Sequence, residues 1–169
     1  MTFTVYNTYD VASVEEFESL LKACGWNIIH KYKLGLSIVT WKYGANISIS
    51  PSVKGLIYRP SDGKILAPGV AIPLEKEPEG IAPVYFSRAL DGIMVRFWFS
   101  PALNKFTWST NGQIVPGTWR GADINKIITQ QQRELKLELL NKDLCYFAVL
   151  EHPDIPNIYQ VTHATMTLV

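Results

Sequence analysis

The sequence predicts an α+β domain, mainly antiparallel sheets with two helices. Three observations carry the prediction. Apolar residues recur at helical spacing in two stretches, about 14–24 and about 122–141. Short β-branched and aromatic runs, separated by glycine and proline turns, fill most of the remainder. No internal repeat or low-complexity tract breaks the pattern, and 169 residues is the length of one domain.

Taken in order, Ser13-Val14-Glu15-Glu16 fits a capping box, which supplies oxygens to free amides at a helix entry. Phe17, Leu20, Leu21 and Cys24 continue the helical face, and Gly25 is the expected stop. Ile28, His30 and Tyr32 then alternate with Asn27, Ile29 and Lys31, and Leu36, Ile38, Val39 and Trp41 follow beyond Gly35. These read as two strands around a glycine turn. Val53 to Tyr58 reads as a strand, and Pro60-Ser61-Asp62-Gly63 as a hairpin turn into Ile65 and Leu66. Residues 67–83 carry too many prolines and glycines for a regular element. Val84-Tyr85-Phe86 opens a second apolar block; past an Asp91-Gly92 turn, Ile93 to Phe99 pairs with Lys105 to Thr110. Ile124, Ile127, Ile128, Leu135 and Leu139 give the second helix, and strands over about 145–150 and 158–169 follow.

Apolar residues at 47% against 18% charged predict a globular chain. A net charge of +1 favours neither a strong nucleic-acid binder nor a membrane-surface protein, although a local basic groove fits within it. Cys24 and Cys145 lie far apart, without metal-ligand spacing, in apolar surroundings. With neither a leader nor an apolar stretch near the ~20 residues that span a bilayer, the expectation is a soluble protein of the cytoplasm or another reducing compartment, with no membrane partner.

Four motifs carry a more specific reading. Lys54-Gly55-Leu56-Ile57-Tyr58 is a basic-Gly-aliphatic strand. Ala89-Leu90-Asp91-Gly92 has the form of a Lys-x-Asp-Gly turn with alanine in the lysine's place. Trp108-Ser109-Thr110-Asn111-Gly112-Gln113-Ile114 has the form of a Ser/Thr-Lys-Gly run with Asn111 at the basic position. Tyr146-Phe147-Ala148-Val149-Leu150-Glu151-His152-Pro153 is an aromatic strand ending in His-Pro. In this order they resemble the adenylation domain of ATP-dependent RNA ligases of the phage tRNA-repair type, within the covalent nucleotidyltransferase superfamily.

That resemblance implies an incomplete nucleotidyltransferase (ATP-grasp-like ligase) domain with a nucleotide-sized cleft between two antiparallel sheets. Residues 1–50 would form an N-terminal helix and strands, and 51–169 the motif-bearing core. It implies ATP and Mg as cofactors and a nucleotide or RNA as partner. Lys54 would hold phosphates; Gly92, Thr110 and Asn111 would line the pocket beside Asp91; and Tyr146 or Phe147 would stack on adenine. A similar Tyr-x-Phe-Val-Leu-x-His-Pro run in ligase-like proteins of large DNA viruses and phages implies a viral relative.

Departures from the pattern limit the chemistry. Ala89 stands where the family's nucleophilic lysine stands, Val149 where a glutamate is expected, and the two later motifs do not follow. An alanine methyl cannot attack phosphorus, and the neighbouring Arg88 stays protonated. The chain as written therefore does not load AMP onto itself. Two readings of Ala89 stay open: a native protein that never adenylates, or an RNA-ligase parent whose lysine has been replaced. An alternative of another class is a non-catalytic interaction or nucleotide-sequestering protein.

Other chemistry-bearing residues argue for less. His163-Ala164-Thr165 is half of the paired tripeptides that two-histidine phosphodiesterases use, and no second copy exists. Three scattered histidines do not make a zinc site. Trp98 and Trp108 are expected to fill a core, and Trp119-Arg120 is the better surface candidate for touching a ligand.

Overall fold

The computed structural model describes residues 13–41, 53–70, 90–131 and 135–169. Residues 71–83 of the connector, the Val84-Tyr85-Phe86 segment and Ala89 lie outside them.

The first helix, α1 (Val14–Ala23), begins where its sequence dictates: the Ser13 hydroxyl accepts a hydrogen bond from the Glu16 amide at 3.3 Å. It ends at Gly25, whose left-handed φ of 82° lets the Gly25 and Trp26 amides return to the Lys22 and Leu21 carbonyls. Sheet 1 follows, with β1 (Asn27–Lys31), β2 (Leu36–Thr40), β3 (Ile57–Tyr58) and β4 (Ile65–Ala67) antiparallel in that order. The Val53–Tyr58 run yields only two residues of ladder. Gly55 at φ 81° turns the chain, and Lys54 makes a lone bridge to Val70. The predicted 60–63 turn is present, clamped by Arg59 on the Asp62 carboxylate.

Sheet 2 joins β5 (Ile93–Ser100), β6 (Lys105–Thr110), β9 (Tyr146–Glu151) and β10 (Thr165–Leu168) in the order β10-β9-β5-β6, all antiparallel. Between them come a small hairpin, β7 (Thr118–Trp119) with β8 (Ala122–Asp123), and the second helix, α2 (Ile124–Gln131). Two predicted elements are shorter than expected. Of the helix predicted over about 122–141, α2 covers Ile124–Gln131, and among the described residues beyond it Leu137–Leu139 is a 3-10 turn; there Leu137 is half-buried and Leu139 is 74% exposed, so the Leu135/Leu139 spacing does not mark one buried face. The strand predicted over 158–169 pairs only from Thr165, because the Ile158 amide donates to Asp91 instead of a ladder.

Alternation along the strands sorts their side chains into layers. Val39 and Tyr58 face α1, packing with Leu21, Trp26, Val53 and Leu56. Leu36, Ile38, Ile57 and Ala67 face sheet 2, where they meet Trp98 and Ile114. Val95, Phe97, Ala148 and Leu150 face α2 through Ile124, Ile127 and Ile128. The order of layers is helix, sheet, sheet, helix, which is the α+β class expected. Among the described residues no helix is long and apolar enough to cross a membrane.

Candidate functional site

The corner at Asp91-Gly92 is tied into the protein rather than open. The Asp91 carboxylate accepts a hydrogen bond from the Ile158 amide, and the Asp91 amide lies 3.5 Å from the Tyr159 hydroxyl. A Cβ on Gly92 would stand 2.4 Å from the Leu150 carbonyl oxygen and 2.9 Å from Val149 Cγ1. Glycine is needed there because the backbone of β9 is too close for any side chain. Glu151, one register step from this corner, is buried; Thr165 donates to one carboxylate oxygen, and the other has no hydrogen bond among the described residues.

A second group of predicted residues converges between the sheets. Arg96 on β5 is fully buried, donating to the Pro68 carbonyl at 2.9 Å and the Thr110 carbonyl at 2.8 Å. Its guanidinium lies against Gly55: a Cβ there would be 3.1 and 3.2 Å from the two terminal nitrogens and 3.0 Å from Asn111 Cα. Lys54-Gly55 from sheet 1 and Thr110-Asn111 from sheet 2 thus meet on one arginine. Phe147 is the cross-strand partner of Arg96 and shares its face. Tyr146, one residue earlier, points to the α2 face, where its ring meets Phe106 at 6.3 Å and its hydroxyl accepts from the Asn141 amide at 2.8 Å. Lys54 Nζ sits 5.6 Å from the ring centre of Trp41, which is 48% exposed. Ala89 lies outside the described residues.

The electrostatics of this seam are unusual. Burial pulls the Arg96 pKa down to about 10, so the group is still a cation at neutral pH. Its neighbour Cys145 is a free thiol pushed up to about 11 by burial, so it brings no negative charge at neutral pH. Arg96 Nε makes no hydrogen bond among the described residues, and neither do Trp98 Nε1, Ser109 Oγ and Asn111 Oδ1. Ser109 is the cross-strand partner of Arg96, and Trp98 follows two residues along on the same face. One positive charge and three unsatisfied polar atoms thus share a buried stretch where such groups are normally paired.

Comparison with family models, curated proteins and solved structures finds no match.

Sequence reasoning missed Arg96 and Glu151. The signal for Arg96 was present, a single charge inside the apolar run Ile93–Phe99. Among the described residues no three His, Cys, Asp or Glu side chains gather as metal ligands would. A string of Ser37, His30 and Glu18 has a nucleophile-like look, with 2.7 Å from Ser37 Oγ to His30 Nδ1 and 3.9 Å from His30 Nε2 to Glu18. Ser37 is fully buried, out of reach of any substrate, so this string fastens β1 and β2 to α1. Trp119 is 40% exposed, with the Arg120 guanidinium 4.8 Å from its ring centre.

Proposed function

We propose that the protein is an RNA-ligase-like, nucleotidyltransferase-type domain that binds an ATP- or AMP-like nucleotide, or RNA, through the seam between its sheets, without adenylating itself. The observation that carries this reading is the meeting of Lys54-Gly55 and Thr110-Asn111 on the buried guanidinium of Arg96, which pairs with no carboxylate among the described residues. A phosphate is the anion such a place suits. It would lie at the outer edge of the seam against Lys54 and the partly exposed Thr110 and Asn111, with the buried Arg96 adding its charge from behind them. Phe147 offers an aromatic face beside the same strand position. An active parent with lysine at position 89 would transfer AMP from ATP for RNA ligation.

Calorimetry with ATP and with a short RNA tests the reading. Saturable heat that is lost in Lys54→Ala supports it, and no heat from any nucleotide with a folded protein defeats it. Ala89→Lys incubated with labelled ATP and Mg tests the ancestral activity separately; weak labelling is the expected result.

A second reading, a non-catalytic interaction or nucleotide-sequestering protein, draws on the Asp91 corner. There the carboxylate serves as an acceptor for the 158 loop and is not free for chemistry. The same calorimetry separates the two.

A further inference from the structure

The end of sheet 2 farthest from the Asp-Gly corner has a hollow of its own. Phe99 lies three residues from Arg96, about 10 Å at strand rise, and on the opposite face of sheet 2, so this hollow is separate from the seam. Phe99, Phe106 and Leu137 wall it, and Asn104, Lys105, Glu138 and Lys142 stand at its edge, enclosing about 300 Å³. That volume is at the lower end of small-ligand sites, roughly 300–1,000 Å³. Phe99 and Phe106 meet edge to face, with ring centres 5.6 Å apart and planes at 73°. Lys142 Nζ lies 4.7 Å from the Phe99 ring centre.

The charges decide what the hollow suits. Two ammonium groups face one carboxylate, and neither Lys105 nor Lys142 forms an ion pair among the described residues. An apolar aromatic floor with surplus positive charge at its edge favours a flat apolar body that carries an anion at one end. Fixed aromatic rings reward a planar ligand over a flexible chain, because stacking then costs little ordering of the ligand. We propose that this hollow binds a small planar aromatic anion, its ring against Phe99 and Phe106 and its carboxylate or phosphate between Lys105 and Lys142. An aromatic carboxylate and a nucleoside monophosphate share that chemistry.

The test uses the full chain with 2-naphthoate, AMP, neutral 2-naphthalenemethanol and inorganic phosphate, followed by NMR of the phenylalanine ring protons. The expected result is saturable 2-naphthoate binding that shifts Phe99 and Phe106, with the neutral alcohol and phosphate alone much weaker. Lys142→Ala and Lys105→Ala should each weaken it about tenfold, while Lys54→Ala leaves it unchanged. AMP that displaces 2-naphthoate names nucleotides as the natural class; AMP that does not names aromatic carboxylates. Both lysines are on the surface, so a thermal melt matching the parent confirms that the variants fold. The proposal is overturned if the neutral alcohol binds as well as 2-naphthoate, if the lysine variants bind unchanged, or if millimolar 2-naphthoate leaves the two rings unshifted. Because Lys54 governs only the seam, failure here and failure of the nucleotide reading are distinguishable.

Discussion

Glu18 and Arg96 stand at the two interfaces that flank sheet 1, and they are built in opposite ways. Glu18, between α1 and sheet 1, accepts from the Tyr58 hydroxyl at 2.6 Å and from Lys22 at 3.3 Å, with His30 nearby. Burial raises the Glu18 pKa, but the bonds from Tyr58 and Lys22 and the neighbouring charges outweigh it and leave the carboxyl below its ordinary value. Among the described residues Arg96, between the sheets, has two carbonyls for partners, no carboxylate, and unsatisfied polar atoms beside it. The first arrangement is what fastening a helix to a sheet requires. The second leaves a charge uncompensated, which packing alone does not explain, because apolar replacements of buried ions are often neutral or stabilising.

The sharpest way to break this contrast is to remove the cation. Arg96→Ala strands the Pro68 and Thr110 carbonyls and opens a cavity, so urea unfolding should show a loss of about 4 kcal/mol. Arg96→Met keeps most of the volume and should stay within about 2 kcal/mol of the parent, while losing the heat of ATP binding. If Arg96→Met keeps that heat, the seam is only structural and the contrast with Glu18 disappears.

Next in size is the glycine corner, where the predicted site divides into a structural half and a free half. Gly92→Ala drives a methyl into the Leu150 carbonyl and should lower stability by about 2–3 kcal/mol in the same unfolding measurement. Gly112, in the neighbouring motif, has open space where its Cβ would go, so Gly112→Ala should stay within about 0.5 kcal/mol. Equal effects would mean that the corner is not held by β9.

Legibility in the sequence follows the range of the interactions. The cap at Ser13, the stop at Gly25 and the Arg59–Asp62 turn are local, so the residues themselves announce them. The β5–β6 hairpin was legible for the same reason, two apolar runs around a short polar loop. What the sequence could not reveal is which distant segments meet. The Pro68 carbonyl lies 28 residues from Arg96, and the 158 amide 67 residues from Asp91. Strand alternation puts Tyr146 and Phe147 on opposite faces, yet only the sheet order puts Phe147 beside the arginine. Leu135 and Leu139 kept helical spacing without sharing a buried face, because spacing records periodicity and not what covers it.

The satisfied side of the contrast makes smaller predictions. Tyr58 is fully buried, and burial, then the Glu18 carboxylate, raises its pKa, so the phenol stays protonated and donates. Tyr58→Phe removes a hydrogen bond to a charged acceptor and should cost about 1.5–2 kcal/mol by denaturant unfolding. A cost near zero would show that α1 is held by Leu21 and Phe17 packing alone.

The smallest effect concerns pH, and its sign separates the two charges most cleanly. A carboxyl whose pKa is lower in the folded protein contributes stability above its unfolded pKa and loses it as the pH falls through the folded value. Glu18 should therefore add a pH-dependent term that fades below the ordinary carboxylate range, and Glu18→Gln should flatten the acid side of the stability curve. Because Glu18 stands at the edge of its interface, where solvent screens it, the difference should be only a few tenths of a kcal/mol. Arg96→Met should leave that acid limb unchanged, since a guanidinium stays protonated throughout the acid range. If Arg96→Met flattens the limb instead, a carboxylate is coupled to the seam, and Arg96 is paired after all.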